Sequence, residues 1–193
     1  NPMLSRKLLE KRKLSMSSYA FKQEFMASFE AHGSELFKEE WIKYGEKPTT
    51  YDCYISVDPA GFEDVGTVKA KGSRLDDTSI CVVFVNEEGW WIEEIIYGRW
   101  DLDETARKIF DAVEKYQPIS VGIEKGIAKQ AIMSPLTDMM KRKQRFFRVD
   151  ELSHGNKKKT DRVVWALQAR FENGYITLNK GDWNMKFLDQ LFQ

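Results

Sequence analysis

The hydrophobic pattern is most informative between Tyr51 and Ala60, where Tyr-Asp-Cys-Tyr-Ile-Ser-Val-Asp-Pro-Ala forms an apolar run ending on one carboxylate, Asp58. Tyr54, Ile55 and Val57 suit a strand, and Pro59 lacks the N–H that a central ladder needs, so Asp58 is predicted at a strand's end. A turn region with Gly61, Gly66 and Gly72 follows. Strands are then predicted from Thr78 to Val85 and from Trp90 to Tyr97, joined by Asn86-Glu87-Glu88-Gly89 as an antiparallel meander. Asp101 or Asp103 can cap a helix running to Gln117, with Ala106, Ile109, Phe110 and Val113 on one face and Pro118 ending it. Ile119-Ser120-Val121-Gly122-Ile123-Glu124 is a second β run that closes on a carboxylate. Beyond it the periodicity predicts a helix from about Lys129 to Lys143, a strand around Phe146 to Val149, a helix from Lys159 to Glu172, a short strand from Tyr175 to Leu178, and a closing helix from Trp183.

Three meander strands followed by helices alternating with parallel strands describe an α/β fold with a ribonuclease H-like mixed sheet flanked by helices, rather than a Rossmann domain. Upstream, Phe21, Phe25 and Phe29 recur at helical spacing, the signature of a packing surface. Asn1 to Lys13 interleaves Arg6, Lys7, Lys11, Arg12 and Lys13 with leucines and reads as a solvated amphipathic helix or tail. Gly45-Glu46-Lys47-Pro48 breaks the pattern, so a basic helical segment over residues 1–48 and a main domain over 49–193 are expected.

Composition narrows the function by exclusion. Thirty basic and thirty acidic residues cancel across 193 residues, so only local patches can favour nucleic acid. Cys53 and Cys81 fall in predicted strands without metal-binding spacing and read as buried, reduced thiols of an intracellular protein. No signal peptide and no apolar run near the roughly 20 residues of a membrane span is present, and a soluble chain is expected. Gly61-x-x-x-x-Gly66-Thr67 lacks the lysine of a phosphate-binding loop. A Gly-x-Ser-x-Gly elbow is missing, and His32 and His154 accompany no zinc spacing.

Carboxylates remain. Asp58, the Asp76-Asp77 pair opening the second strand, and Glu124 can all reach one sheet edge, and in open α/β sheets ligands gather at the carboxyl ends of strands. Acids gathered at one place repel unless a cation intervenes, and hard oxygen ligands select Mg²⁺ or Mn²⁺. Two such ions roughly 3.5–4 Å apart stabilise the attacking and leaving oxygens of a phosphoryl displacement. Positive charge recurs between Glu124 and Arg170, including Lys125, Lys129, Lys141, Arg142, Lys143, Arg145, Arg148, Lys157, Lys158, Lys159 and Arg162. It is expected to concentrate beside the acids, with Lys125, Lys129, Lys157, Lys158, Lys159 and Arg162 as the candidates for phosphate contact, while Lys141 to Lys143 read equally well as a solvated basic face.

In their order and spacing these residues resemble the C-terminal nuclease domain of the large terminase subunit of tailed bacteriophages. The resemblance runs from about Tyr19 to the end of the chain. Phe21-Lys22-Gln23-Glu24-Phe25 through Phe37 is similar to the family's segment joining the ATPase domain to the nuclease. Val57-Asp58-Pro59-Ala60 resembles its first acidic motif, Asp76-Asp77-Thr78-Ser79-Ile80 the acid before the second strand, and Val121-Gly122-Ile123-Glu124 its central acid. Lys157-Lys158-Lys159-Thr160-Asp161-Arg162, Phe171-Glu172-Asn173-Gly174 and Phe187-Leu188-Asp189-Gln190-Leu191 resemble the later basic helix and the segment beyond it. Asp76 matches the motif better than Asp77.

The resemblance implies an endodeoxyribonuclease that uses two Mg²⁺ or Mn²⁺ ions and cuts concatemeric double-stranded DNA, leaving a 5′-phosphate and a 3′-hydroxyl. Asp58 would bridge both ions, Glu124 would complete the coordination with a further acid, and Asp76 or Asp77 would bind directly or through water. The family's last acidic motif would lie beyond Gln193 and its ATPase domain before the chain, so an excised domain with an incomplete site is expected. The implied partners are that ATPase domain, the viral portal protein and the small terminase subunit, at the procapsid in the host cytoplasm and away from membranes. Two other readings of the same residues are a resolvase or transposase core and a DNA-gripping or portal-docking module without cleavage.

Overall fold

A computed structural model describes residues 5–16, 21, 36–60, 77–153 and 162–192. The chain divides into two compact units, one formed by Asn1–Gly45 with Asn156–Gln193 and the other by Glu46–Gly155. The predicted aromatic stripe at Phe25 and Phe29, the glycine-bearing region after Ala60, His32 and His154 lie outside the described residues.

The Glu46–Gly155 unit carries β1 (Asp52–Asp58), β2 (Thr78–Asn86), β3 (Gly89–Gly98), α2 (Leu102–Tyr116), β4 (Ser120–Glu124), α3 (Ile127–Lys143) and β5 (Val149–Leu152); α1 (Arg6–Ser15) belongs to the other unit. Its five strands run in the order β5-β4-β1-β2-β3. The β1–β2 and β2–β3 pairs are antiparallel, and β4 is parallel to both β1 and β5.

Alternation sets the two faces. Along β1, Cys53, Ile55 and Val57 are buried while Asp52, Tyr54, Ser56 and Asp58 are exposed. The buried face joins Ile80 and Val82 of β2 and Val121 and Ile123 of β4 in one core with α2 and α3. Helix α2 contributes Ala106, Ile109, Phe110 and Val113, and α3 contributes Ile132, Leu136 and Met140, which recur every fourth residue as one helical face requires. The side chain of Asp101 caps α2 by accepting from the Glu104 N–H at 2.7 Å. Gln117, in the left-handed region at φ 49°, ends that helix before Pro118.

Two boundaries differ from the sequence reading. Helix α3 starts at Ile127 and continues through Pro135. The burial of Ile132, Leu136 and Met140 on either side of Pro135 offsets the backbone hydrogen bond that the proline forgoes. The following strand is Val149–Leu152, not Phe146 to Val149. Phe146 and Phe147 carry the stronger β signal, yet Phe146 is 67% exposed. The true strand includes Asp150 and Glu151, whose charges are met by Arg148 and by Lys125 and Lys129.

In the other unit, Ser5 caps α1, the helix expected for the basic N-terminal stretch. Residues Phe37, Val164, Phe171, Ile176, Leu178 and Trp183 are buried. Phe37 meets Phe171 edge-on at 5.8 Å, and the Gln168 side-chain amide donates to the Leu36 carbonyl at 2.6 Å. The helix expected from Lys159 is described only from Arg162; Val164–Gln168 is π-helical and passes into α4 (Ala169–Glu172). The short strand β6 (Ile176–Leu178) bridges Tyr44 through Leu178, and α5 (Trp183–Leu191) follows.

Thr105 is fully buried in α2, and its hydroxyl has no hydrogen-bond partner among the described residues. Replacing it with the near-isosteric valine removes an unsatisfied polar group, so Thr105→Val should raise the unfolding free energy by about 1 kcal/mol in urea titration. A lower midpoint for the variant would show that the hydroxyl is partnered.

Candidate active site

The parallel register of β1 and β4 pairs Ile55 with Val121 and Val57 with Ile123. Continuing by one residue sets Asp58 beside Glu124, on neighbouring strands separated by about 4.8 Å. The core face holds Val57 and Ile123, so alternation turns both acids to the opposite face, where Asp58 is exposed and Glu124 half-buried. On the far side of β1, Asp58 pairs with Ser79 of β2, which pairs in turn with Tyr97 of β3. On the far side of β4, Glu124 pairs with Leu152 of β5. One transverse row therefore reads Leu152, Glu124, Asp58, Ser79, Tyr97.

Local contacts fix the strand ends. The Thr78 hydroxyl, fully buried, accepts a hydrogen bond from the Ala60 N–H at 3.0 Å and ties the exit of β1 to the start of β2. Beyond Glu124, the Lys125 N–H donates to the Leu152 carbonyl at 2.8 Å and extends the β4–β5 ladder. A Cβ at Gly122 would come within 2.8 Å of Leu152 Cδ1, so the Leu152 side chain occupies the space above Gly122 on the acids' face.

The predicted site residues are distributed unevenly. Asp58 and Glu124 come together at adjacent strand ends. Asp77 stands at the start of β2 and takes an ion pair from Arg99 Nε at 3.1 Å. Asp76 lies outside the described residues, as do Lys157, Lys158 and Lys159. Among the described residues, no three His, Cys, Asp or Glu side chains form a metal-holding group, so the described part of the site offers the Asp58 and Glu124 carboxylates. Two hard oxygen donors at one sheet edge suit a divalent cation of the Mg²⁺ or Mn²⁺ type.

Several of the described basic residues are engaged by other carboxylates or lie away from the acids. Lys125 and Lys129 bind Glu151 at 3.5 and 3.0 Å. The Lys129 ammonium, followed by Lys125, holds the Glu151 carboxyl below its ordinary range. Helix α3 leaves the acids' edge and runs back to begin a strand parallel to β4, so its 17 residues carry Lys141, Arg142 and Lys143 about 25 Å away. There they lie beside the last-turn carbonyls, where cations are favoured. Arg148 pairs with Asp150 at 2.7 Å and, as the largest cause, lowers the Asp150 carboxyl. Arg162 belongs to the other unit, and its Nε is buried without a partner among the described residues.

The two thiols are chemically quiet. Burial pushes Cys53 up to about 11 and Cys81 up to about 12, so neither supplies a thiolate near neutral pH. Sequence reasoning overlooked Ser79 and Tyr97 as members of the acids' row; the signal available was the two-residue period, which fixes a face only once the register is known. No described helix is long and apolar enough to cross a membrane.

No protein-family model and no curated protein matches the chain. Solved structures do share its fold. The large terminase of a thermophilic bacteriophage superposes with TM-score 0.65 at 11% identity, over 100% of this chain and 45% of that one. The terminase nuclease domain of human cytomegalovirus, soaked with Mn, gives 0.53 at 13% identity over 80% and 84% of the two chains. The P22 large terminase nuclease domain gives 0.52 at 12% identity over 82% and 78%. The chain thus spans less than half the length of the thermophilic phage's terminase, and its fold is that of terminase nuclease domains.

Lys129→Met should move the titration of Glu151 upward, toward the ordinary glutamate range. The pair's contribution to stability is complete above that range and is lost as pH falls through the depressed value of the folded state. Carboxylate NMR across acid pH reads this directly; a Glu151 titration identical in variant and wild type would show that Lys129 does not hold it.

Proposed function

We propose that this chain is the metal-dependent endonuclease domain of a viral DNA-packaging terminase, which cuts concatemeric double-stranded DNA. The observation that carries the reading is the β1–β4 register, which brings Asp58 and Glu124 side by side on one face at the carboxyl ends of parallel strands. The shared fold with terminase nuclease domains, one of them soaked with Mn, supports it. On this reading residues 1–48 are the segment that follows an ATPase domain. The partners are duplex DNA, the portal protein and the small terminase subunit, and the work is done at the procapsid in the host cytoplasm.

Asp58 and Glu124, together with a further acid, are the residues that would hold divalent ions, two in the full site, and Asp76 would bind directly or through water; Asp77 is the less suited of the pair because Arg99 engages it. A bound divalent ion supplies Lewis acidity toward a phosphoryl oxygen and lowers the pKa of a bound water. The protein's own part is positional. The Thr78–Ala60 hydrogen bond ties the exit of β1 to β2, while the β1–β4 ladder and the core at Val57 and Ile123 keep the two carboxylates side by side; the reaction is direct hydrolysis by water, without a covalent enzyme intermediate.

Asp58→Asn removes charge but little volume, so it should abolish Mn²⁺-dependent nicking of a supercoiled plasmid while leaving the circular-dichroism melt unchanged. Wild-type cutting by that variant would overturn the assignment. DNA contact is proposed for Lys125, Lys129, Lys157, Lys158, Lys159 and Arg162, with the three consecutive lysines as the main contributors because Glu151 already engages Lys125 and Lys129. Replacing Lys157, Lys158 and Lys159 with alanine should weaken binding to all duplexes alike and reduce the slope of log K against log salt by about 0.9 for each phosphate no longer neutralised. An unaltered slope would assign the DNA-binding role to another surface.

A further inference from the structure

The row that holds the acids continues past them with polar side chains in one direction only. Ser79 stands next to Asp58, and Tyr97 stands beyond Ser79, about 9.6 Å from Asp58 at two strand spacings. All three share the face opposite the core, because their neighbours Val57, Ile80 and Ile96 form or pack against it. One step outward, Thr78 pairs with Gly98, and Arg99 stands just past the end of β3. The Arg99 side chain is 62% exposed and is held against the start of β2 by the Asp77 carboxylate at 3.1 Å. Tyr97 is 37% exposed. A hydroxyl, a phenol with an accessible ring and an oriented guanidinium thus lie together beside the acids, on the β2–β3 side. On the β5 side the row ends in Leu152, whose side chain offers no hydrogen-bonding group.

We propose that Ser79, Tyr97 and Arg99 form a binding subsite for the phosphodiester and base next to the one cut at Asp58 and Glu124, so that the cleaved strand lies across β2 and β3. The inference rests on the nuclease reading and adds to it the direction of the bound strand. Each residue has a distinct task. Arg99 carries the charge for a phosphate oxygen, which a guanidinium meets with a fork of N–H donors. Ser79 donates a hydroxyl hydrogen bond to the same phosphate, a sequence-independent contact. Tyr97 presents a ring on which any base can stack. Such a subsite suits an enzyme that cuts many sequences, because none of its groups reads a base edge. The Asp77 carboxylate keeps Arg99 on the sheet face and leaves N–H donors of the guanidinium for the ligand, since one fork carries five.

The test measures binding separately from cleavage. Affinity for a fluorescent strand of about 20 nucleotides, and for a duplex of the same sequence, is read in EDTA, where no metal contributes, and nicking is read in Mn²⁺. Arg99→Ala should weaken metal-free binding about tenfold and lower the salt slope by about 0.7–0.9. Tyr97→Ala should weaken single-strand binding about tenfold, and Tyr97→Phe should restore most of it because the ring remains. Ser79→Ala should raise KM for nicking several-fold with kcat little changed. Asp58→Asn should leave metal-free binding intact or stronger and abolish nicking. Wild-type affinity, salt slope and KM in all three subsite variants, with Asp58→Asn inactive, would overturn the subsite while leaving the nuclease reading in place. Nicking by Asp58→Asn would instead overturn that reading, whatever the subsite variants show.

Discussion

The structure depends on the parallel pairing of β1 with β4. That pairing buries Ile55, Val57, Val121 and Ile123, each at most 2% exposed, and the same register carries Asp58 and Glu124 to neighbouring positions. Burial of one such side chain contributes about 1.5–3 kcal/mol, so the four together contribute roughly 6–12 kcal/mol. Two carboxylates separated by about 5 Å repel by about 1 kcal/mol in water and about 3 kcal/mol at an effective dielectric of about 20. The core therefore wins, and it holds two like charges where they would not settle by themselves. A slip of one residue would turn the buried set to the other face, so the register cannot relax to part the acids. A divalent cation bound between the acids would offset that repulsion.

Charge elsewhere in this unit is disposed by strand register and helix length. Lys125 and Lys129 follow Glu124 closely in sequence, yet both are taken up by Glu151. Glu151 pairs in register with Ile123, so it belongs to the opposite face from Glu124. The three consecutive cations of α3 are carried to the far end of the sheet by the length of the helix. Field and topology are thus linked: the parallel crossover that places β5 beside β4 also carries Lys141, Arg142 and Lys143 away from the acids.

Much of this was legible in the chain because strand ends are written in local chemistry. The run Ile-Ser-Val-Asp-Pro stops a strand with a residue that has no N–H, and Ser-Val-Gly-Ile-Glu is a short apolar strand with its acid at the end. The β2–β3 hairpin was equally readable from Asn86 and Gly89, and the Asn86 side chain does accept from the Glu88 and Gly89 N–H groups. What failed was the edge strand β5. Its Val-Asp-Glu-Leu carries two charges whose partners lie on α3, on β4's continuation and two residues back, and a local pattern cannot reveal ion pairs made across elements. The adjoining Phe146-Phe147 drew the strand signal toward itself, although only Phe147 packs against the core.

Register is the quantity a single sequence conceals, and it decides which residues accompany the acids. Ser79 and Tyr97 are ordinary strand residues by composition. They join Asp58 only because β2 pairs with β1 at Asp58–Ser79 and with β3 at Ser79–Tyr97, and the irregularity in the β2–β3 ladder falls farther along, between Val82 and Val83. Had that bulge come before Ser79, the row would have presented a core residue in place of Tyr97. On the opposite side, Gly122 lets Leu152 fold over the sheet beside Glu124. The acids are therefore bounded by an apolar side chain toward β5 and by polar groups toward β3, an asymmetry created by one glycine and the position of one bulge.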